Sequence, residues 1–155
     1  MDPANLGQGT STFTLRPATS ADAAPIRALI RDVGINPTGL DWRRFVLAVT
    51  TEDEMIGCGQ VKPHGDGTRE LASIAVKREW RRCGVARAII ERLIADHPGV
   101  LYLMCRSSLA PFYEKFGFGV LDEAEMPPYF RRMARLAKVF GRVAKTGLAV
   151  MRLDA

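Results

Sequence analysis

The segment between residues 70 and 105 constrains the fold of this chain more than any other. A strand-like run, 70–76, is followed by a helix-like run and then by a continuously apolar run, 100–105, typical of a strand covered on both faces. Strand, helix and strand within about 35 residues have the size of a βαβ unit, which predicts an α/β fold. The helix-like run places these apolar residues on one face: Val85, Ala86, Ile89, Ile90, Leu93 and Ile94.

The patterns on either side extend this fold. Thr19 has the sequence context of a helix N-cap with Asp22 in a capping box, and Gly34 follows as a helix stop. The spacing of apolar residues between them predicts one helical face, formed by Ile26, Leu29, Ile30 and Val33. Further strands are predicted at 13–15, 45–50, 55–61, 120–121 and 148–153, and further helices at 109–116 and 129–140.

Composition and charge narrow the class of protein. With 155 residues, 47% hydrophobic and 25% charged, the chain fits one globular domain. The net charge of +5 is unevenly distributed, because residues 130–155 hold seven basic side chains and one acidic side chain, Asp154. The rest of the chain has a net charge of −1, which is not typical of a nucleic-acid-binding domain. We therefore expect no nucleic-acid partner.

The basic helix 129–140 has three interpretations. In the first, its charges form a solvated face over a buried stripe of Tyr129, Met133, Leu136, Ala137 and Phe140. In the second, it lies on a membrane surface, which would need a more continuous apolar face. In the third, the first turn of this helix forms part of a substrate pocket.

The cysteines and the first residues indicate the compartment. Cys58, Cys83 and Cys105 are odd in number and form no CxxC pair, which favours reduced thiols. Residues 1–11 are polar and Gly-rich, so we expect a disordered tail and not a signal peptide. No apolar run approaches the ~20 residues of a membrane span. We therefore expect a cytoplasmic location without a membrane partner.

The turn Arg81-Arg82-Cys83-Gly84-Val85-Ala86 carries the strongest chemical signal. It lies between a predicted strand and a predicted amphipathic helix. Gly84 and the small Ala86 allow a ligand to approach the backbone, and free N–H groups at a helix start bind anions such as a pyrophosphate. The alternative is an ordinary basic turn between a strand and a helix.

The pattern R-x-x-G-x-A in this turn resembles the acetyl-CoA signature of the GNAT (Gcn5-related N-acetyltransferase) superfamily. The resemblance extends from Phe13 to Leu153 and includes L-R-P-A, E-L-A-S-I-A-V, R-R-C-G-V-A and F-Y-E-K-F-G-F. The sequence departs from the family at Cys83, where glycine is common. The resemblance implies one GNAT domain over 12–155, with a mixed, mostly antiparallel sheet flanked by helices and splayed at the acetyl-CoA site.

The resemblance also implies how acetyl-CoA would bind. Backbone amides of Ile74 and Val76 would bind the pantetheine arm, and the amides of 81–86 would hold the pyrophosphate. The thioester would enter between strands 70–76 and 100–105, where an amide near Ile74 would stabilise the oxyanion. The implied cofactor-binding residues are Ile74, Ala75, Val76, Arg81, Arg82, Cys83, Gly84, Val85 and Ala86. No metal is implied.

Tyr113 occupies the position of the family's usual general acid. A phenol there could protonate the CoA thiolate that leaves when an amine attacks. The alternative is a core aromatic residue beside Phe112 and Phe116.

Glu70 is the candidate base, because the attacking amine must lose a proton and a carboxylate could take it through water. The alternative is an exposed carboxylate at a strand end, paired with Arg69 or Arg44. His64 and His97 are weaker candidates, since each lies beside Gly or Pro in a predicted surface turn. Cys105 is expected to be a buried strand residue and not a nucleophile.

The resemblance implies direct transfer of an acetyl group from acetyl-CoA to a primary amine. The segment M-P-P-Y-F-R-R-M more distantly resembles the amino-acid acetyltransferases, so a small amino acid is the first expected acceptor and a peptide or protein amine the second. By the same resemblance Tyr129, Arg131 and the loop 36–41 flank the acceptor, and a homodimer is compatible with it. The competing hypothesis is a CoA-binding sensor or partner-binding module without catalysis.

Overall fold

The computed structural model describes residues 12–139 and 147–154. The predicted tail 1–11, and Phe140 of the predicted last helix, lie outside these residues. In chain order the strands and α-helices are β1 (Thr14–Pro17), α1 (Ala23–Val33), β2 (Phe45–Val49), β3 (Met55–Pro63), β4 (Arg69–Val76), α2 (Val85–Asp96), β5 (Val100–Arg106), α3 (Ala110–Glu114), β6 (Gly119–Val120), α4 (Pro128–Val139) and β7 (Leu148–Asp154).

These strands form one mixed sheet in the order β1-β2-β3-β4-β5-β7-β6. β1 pairs antiparallel with β2, and β7 pairs antiparallel with both β5 and β6. β4 and β5 are parallel, with Glu70 opposite Tyr102. Parallel neighbours need a crossover connection, and α2 supplies it. The predicted α/β class and the βαβ unit are therefore confirmed.

The described residues group into two compact units, the first formed by 12–59 and Ser73–Ile89. The buried face of α1 provides one side of its core, with Ile26, Leu29 and Ile30 as predicted. β2 is buried along its whole length, and its alternate residues Phe45, Leu47 and Val49 pack in the core with that face. The buried residues of this core are Ile26, Leu29, Ile30, Phe45, Leu47, Val49, Met55, Cys58 and Ala75.

Gly57 on β3 lets the first turn of α2 approach the sheet closely. A Cβ atom at this position would lie 2.8 Å from Cγ1 of Val85 and 3.2 Å from the carbonyl oxygen of Ala75. Close-packed interiors do not accommodate such contacts without a shift of the neighbours. The absence of a side chain at Gly57 therefore helps to fix where α2 begins.

The second unit is formed by Gln60–Ala72 and residues 90–154 of the described chain. Alternate residues of β5, namely Leu101, Leu103 and Cys105, are buried, and Tyr102 and Met104 between them are half-buried. The strand is thus covered on both faces, but unequally. The second core is built on the half-buried face and contains Leu121, Phe130, Ala134 and Val150.

The predicted buried stripe of α4 needs correction. Phe130 and Ala134 are the buried residues of this helix, whereas Leu136 is 43% exposed. The ring of Phe130 stacks on that of Tyr102, with the ring centroids 5.1 Å apart. This contact turns the helix so that the face containing Phe130, rather than the one containing Leu136, meets the sheet.

An ion pair joins the end of β1 to the start of α1. The guanidinium of Arg16 donates to both carboxylate oxygens of Asp22, at 2.8 and 3.1 Å, and its Nε donates to Asp53 at 2.8 Å. The backbone N–H of Thr19 also donates to Asp22, at 2.7 Å, which confirms the predicted capping box. The hydrogen bonds from Arg16, opposed by burial and aided by Thr19, lower the pKa of Asp22 to about 2.

We predict that Asp22→Asn lowers the free energy of unfolding at pH 7 by about 1–3 kcal/mol, because it removes a charged acceptor that is largely buried. A carboxylate whose pKa is depressed in the folded state stabilises the protein above its unfolded pKa, near 3.8, and loses this effect as pH falls towards about 2. The difference between wild type and variant in denaturant titrations should therefore shrink below about pH 4.

Asp53→Asn is the matched control, because it also removes a carboxylate partner of Arg16, but one whose side chain is 68% exposed. This variant should lose less than about 1 kcal/mol of the free energy of unfolding, as is usual for surface ion pairs. Equal losses for the two variants would contradict the role assigned to the buried carboxylate.

Candidate active site

The turn 81–84 has a backbone shaped to hold an anion. Arg82 and Gly84 both have left-handed conformations, with φ of 63° and 81°. α2 begins at the next residue, where the carbonyl oxygen of Gly84 accepts from the N–H of Ala88 at 3.1 Å. The first N–H groups of a helix have no acceptor within the helix, and left-handed turn residues direct neighbouring N–H groups into one concavity. These features are compatible with the predicted phosphate-binding turn, whose binding role stays a prediction.

The side chains of this turn are exposed and basic, which suits an anionic ligand. Arg81, Arg82, Cys83 and Gly84 are all exposed, while Val85 anchors the helix start with 1% exposure. A left-handed conformation at a residue other than glycine costs of order 1–3 kcal/mol and persists only where surrounding structure imposes it. Strain at Arg82 is thus a signal of function that the sequence did not show.

The other implied cofactor residues lie on β4, in the same unit. Ile74 and Val76 are half-buried and Ala75 between them is buried, so their side chains alternate along the strand. Ser73, immediately before them, has a φ of 59°, which is far from strand geometry. Such an irregularity interrupts regular strand pairing in the manner of a β-bulge. The sequence pattern E-L-A-S-I-A-V gave no indication of it.

A cavity of about 720 Å³ lies in the first unit. Lys77, Arg78 and Arg81, which lead into the phosphate-binding turn, line it together with Leu29 and Val33 of α1. Its volume lies within the usual range for ligand pockets. The lining also contains five carboxylate side chains, so its charge does not by itself favour an anionic ligand; these are Asp22, Asp32, Asp53, Glu54 and Glu79.

Tyr113 lies on α3 in an aromatic environment. Its ring contacts those of Phe112 and Phe118 edge to face, with centroids 5.1 and 6.3 Å apart. Burial raises the pKa of Tyr113 to about 12, and the neighbouring Cys105 adds to the rise. The phenol is therefore fully protonated at neutral pH, as a general acid must be, and it cannot serve as a base.

Glu70 has a different environment from the exposed alternative. It is 5% exposed, and its Oε1 lies 2.8 Å from Nε2 of His64. Arg69 instead donates to the carbonyl oxygen of Pro98 at 2.7 Å, and Arg44 is 4.0 Å from Asp41. The alternative interpretation, an exposed Glu70 paired with Arg69 or Arg44, is therefore wrong.

His64 is also not the exposed turn residue that its neighbours in sequence suggest. Its side chain is 11% exposed, and its ring stacks on that of Tyr129 at a centroid distance of 3.6 Å. The helix that covers it begins more than sixty residues later in the chain. A local pattern could not reveal this contact.

The start of α4 supplies further polar groups. The N–H of Tyr129 donates to Asp66 at 3.1 Å, and Arg131 donates to the carbonyl oxygens of Glu123, Ala124 and Met126. Arg131 thereby holds the turn that precedes its own helix, which is a structural role. Tyr129 itself is half-buried, with its ring stacked on that of His64.

The remaining candidates have structural roles. Nδ1 of His97 is 2.8 Å from the carbonyl oxygen of Leu93, at the end of α2. Cys105 is buried, and burial raises the pKa of its thiol to about 11, so it is protonated and unreactive at neutral pH. Within 12–139 and 147–154, no group of three His, Cys, Asp or Glu residues is arranged to hold a metal ion. Over the same ranges, no helix has the length and apolar character needed to cross a membrane.

Similar folds occur in solved acetyltransferases. N-acetylglutamate synthase from Neisseria gonorrhoeae, complexed with coenzyme A and N-acetyl-glutamate, superposes with a TM-score of 0.72 at 19% identity. The match covers 92% of this chain and 35% of the synthase, so the chain spans about a third of that relative's length.

Two shorter relatives match almost end to end. Rv2747 from Mycobacterium tuberculosis, solved in complex with CoA, has a TM-score of 0.69 and 19% identity, with 92% of this chain and 99% of that chain covered. The ribosomal-protein-S18-alanine N-acetyltransferase from Escherichia coli has a TM-score of 0.63 and 17% identity, over 92% of this chain and 94% of its own. These likenesses show the fold. A search of curated protein sequences gave no significant match.

The sequence itself matches a family model. The model of the acetyltransferase (GNAT) domain aligns with residues 41–120, slightly more than half of the chain, including β4, the phosphate-binding turn, α2 and α3. The predicted family and the single α/β domain of its fold are thus confirmed by independent sequence and structural evidence. The chain belongs to the GNAT acetyltransferase family.

Proposed function

We propose that residues 12–155 form one acetyltransferase domain that transfers the acetyl group of acetyl-CoA directly to a primary amine. The observation that supports this proposal is the turn 81–84, where two left-handed residues directly precede the start of α2 inside a GNAT sequence match. Relatives with this fold were crystallised with coenzyme A, which supports the choice of cosubstrate.

In this proposal the amides of 81–86 hold the pyrophosphate, and the amides of Ile74 and Val76 hold the pantetheine arm. The N–H groups act as donors fixed by the backbone, so they need little reorganisation when the ligand arrives. Arg81 and Arg82 add positive charge at the same turn. Acetyl-CoA supplies the activated acyl group, and the chain contributes positioning, proton transfer and electrostatic stabilisation.

For the acceptor we propose a small amino acid first and a peptide amine second. N-acetylglutamate synthase acts in the amino-acid class, whereas the Escherichia coli relative is named for an alanine of a ribosomal protein. We also place the protein in the cytosol, because Cys58, Cys83 and Cys105 are free thiols and one of them is exposed.

The decisive experiment combines calorimetry of CoA binding with thiol release over a panel of amino acids, amino-terminal peptides and lysine peptides. We expect micromolar or tighter CoA binding and release with at least one amine class. Gly84→Glu should abolish binding and Gly84→Gln should weaken it less, since both carry the same backbone strain but only one adds a negative charge. CoA binding without thiol release from any amine would favour the non-catalytic module.

We predict that Tyr113→Phe lowers kcat by ~10²–10⁴-fold, the usual effect of losing a general acid, with CoA affinity nearly unchanged. The phenylalanine keeps the ring contacts and removes only the hydroxyl. Because the pKa of Tyr113 is raised to about 12, wild-type activity should show no loss from this group up to about pH 10. Activity of the variant within twofold of wild type would mean that another group protonates the thiolate.

We propose Glu70 as the group that receives the proton of the acceptor's ammonium. An alkylamine with a pKa near ~10.4 is mostly protonated at neutral pH and cannot attack in that form. Glu70→Gln should therefore reduce turnover near pH 7, with recovery as pH rises and free amine becomes abundant.

Steady-state rates between pH 6 and 10 would measure this profile, with Glu52→Gln at an exposed turn as the control for charge. A uniform loss at every pH would instead assign Glu70 to binding the ammonium. An unchanged rate would remove it from the mechanism.

A further inference from the structure

The side chains of His64 and Glu70 form a buried pair, with Nε2 of the imidazole 2.8 Å from Oε1 of the carboxyl group. An ionised carboxylate only accepts, so with Glu70 ionised this contact requires the tautomer that carries the proton on Nε2. Both side chains are almost completely buried, with exposures of 11% and 6%. A carboxylate in such a place is costly unless a donor satisfies it.

The imidazole ring is held in place from two sides. The ring of Tyr129 lies parallel to it, at 3.6 Å and 18°, and the ring of Phe130 meets it edge-on at 5.7 Å. Phe130 is itself fully buried. Rotation of the imidazole out of this plane would break both aromatic contacts, so they hold the plane of the ring.

The backbone around His64 is fixed as well. Asp66 accepts the N–H of Tyr129 at 3.1 Å and the hydroxyl of Thr68 at 2.6 Å. The hydrogen bond from Thr68 lowers the pKa of Asp66, which keeps it an anion at the start of α4, where negative charge is favourable. The turn that carries His64 is therefore attached to α4 at two points.

From this arrangement we propose that His64 is a positioning residue for Glu70, an inference that rests on the proposed acetyl transfer. The N–H of His64 donates to Oε1 of Glu70, which leaves Oε2 of Glu70 to receive the proton of the acceptor's ammonium. In that step an N–H bond of the acceptor's ammonium breaks, an O–H bond forms on Oε2, and the electron pair stays on the nitrogen, which then attacks. The proton leaves Glu70 for water after transfer. His64 keeps its own proton throughout.

Two substitutions separate the hydrogen bond from the stacking. His64→Phe keeps a ring against Tyr129 but loses the donor, whereas His64→Gln keeps an N–H donor and loses the ring. We expect His64→Phe to lower kcat about 10-fold to 100-fold, as misplaced catalytic groups do, with KM for the amine and CoA affinity nearly constant. His64→Gln should retain kcat within about threefold even if its melting temperature falls.

The double variant with Glu70→Gln tests whether His64 acts through Glu70. In that background His64→Phe should have no further effect on kcat, because the two residues act as one unit. Full activity of His64→Phe would overturn the proposal. Equal losses of kcat in His64→Phe and His64→Gln would overturn it too, since the imidazole itself would then accept the proton of the ammonium.

A separate measurement distinguishes failure of this inference from failure of the proposed function. If the wild type binds CoA but acetylates no amine, the proposed function is wrong, and the imidazole ¹⁵N spectrum still reports on the pair. A protonated Nε2 whose signal shifts in Glu70→Gln supports the fixed hydrogen bond. A protonated Nδ1, or a signal that does not respond to Glu70→Gln, overturns it.

Discussion

A buried carboxylate must have a hydrogen-bond donor, and Glu70 has His64, six residues earlier in the chain. To bring the imidazole there, the end of β3 and the start of β4 must place the turn between them against α4. Phe130 then fills the space beside the imidazole and stacks on Tyr102. The aromatic contacts of Phe130 thus connect the orientation of α4 both to the second core and to the buried pair of His64 and Glu70.

The turn 81–84 would bind a phosphate on a different principle. In the proposed function its binding groups are backbone amides, so its conformation matters more than the identity of exposed side chains such as that of Cys83. The strain at Arg82 is offset by the anchoring of Val85 in the core. The packing of Val85 in the core thus stabilises the left-handed backbone of the turn that precedes it.

The proposed mechanism places its acid and its base in two different environments. The phenol of Tyr113 is surrounded by aromatic rings and Cys105, and burial raises its pKa to about 12, which keeps it neutral at physiological pH. The carboxyl group of Glu70 instead has a polar neighbour, the imidazole of His64 at 2.8 Å.

The sequence by itself determined the order of elements, the buried face of α1, the βαβ crossover and the turn that precedes α2. Each of these follows from local periodicity, capping residues or a short motif. The tertiary structure alone decided the burial of His64, the face that α4 presents and the left-handed backbone at Ser73 and Arg82. These depend on contacts between distant segments: the N–H of Tyr129 and its acceptor Asp66 are 63 residues apart. A turn rich in glycine appears exposed until the helix that covers it is in place.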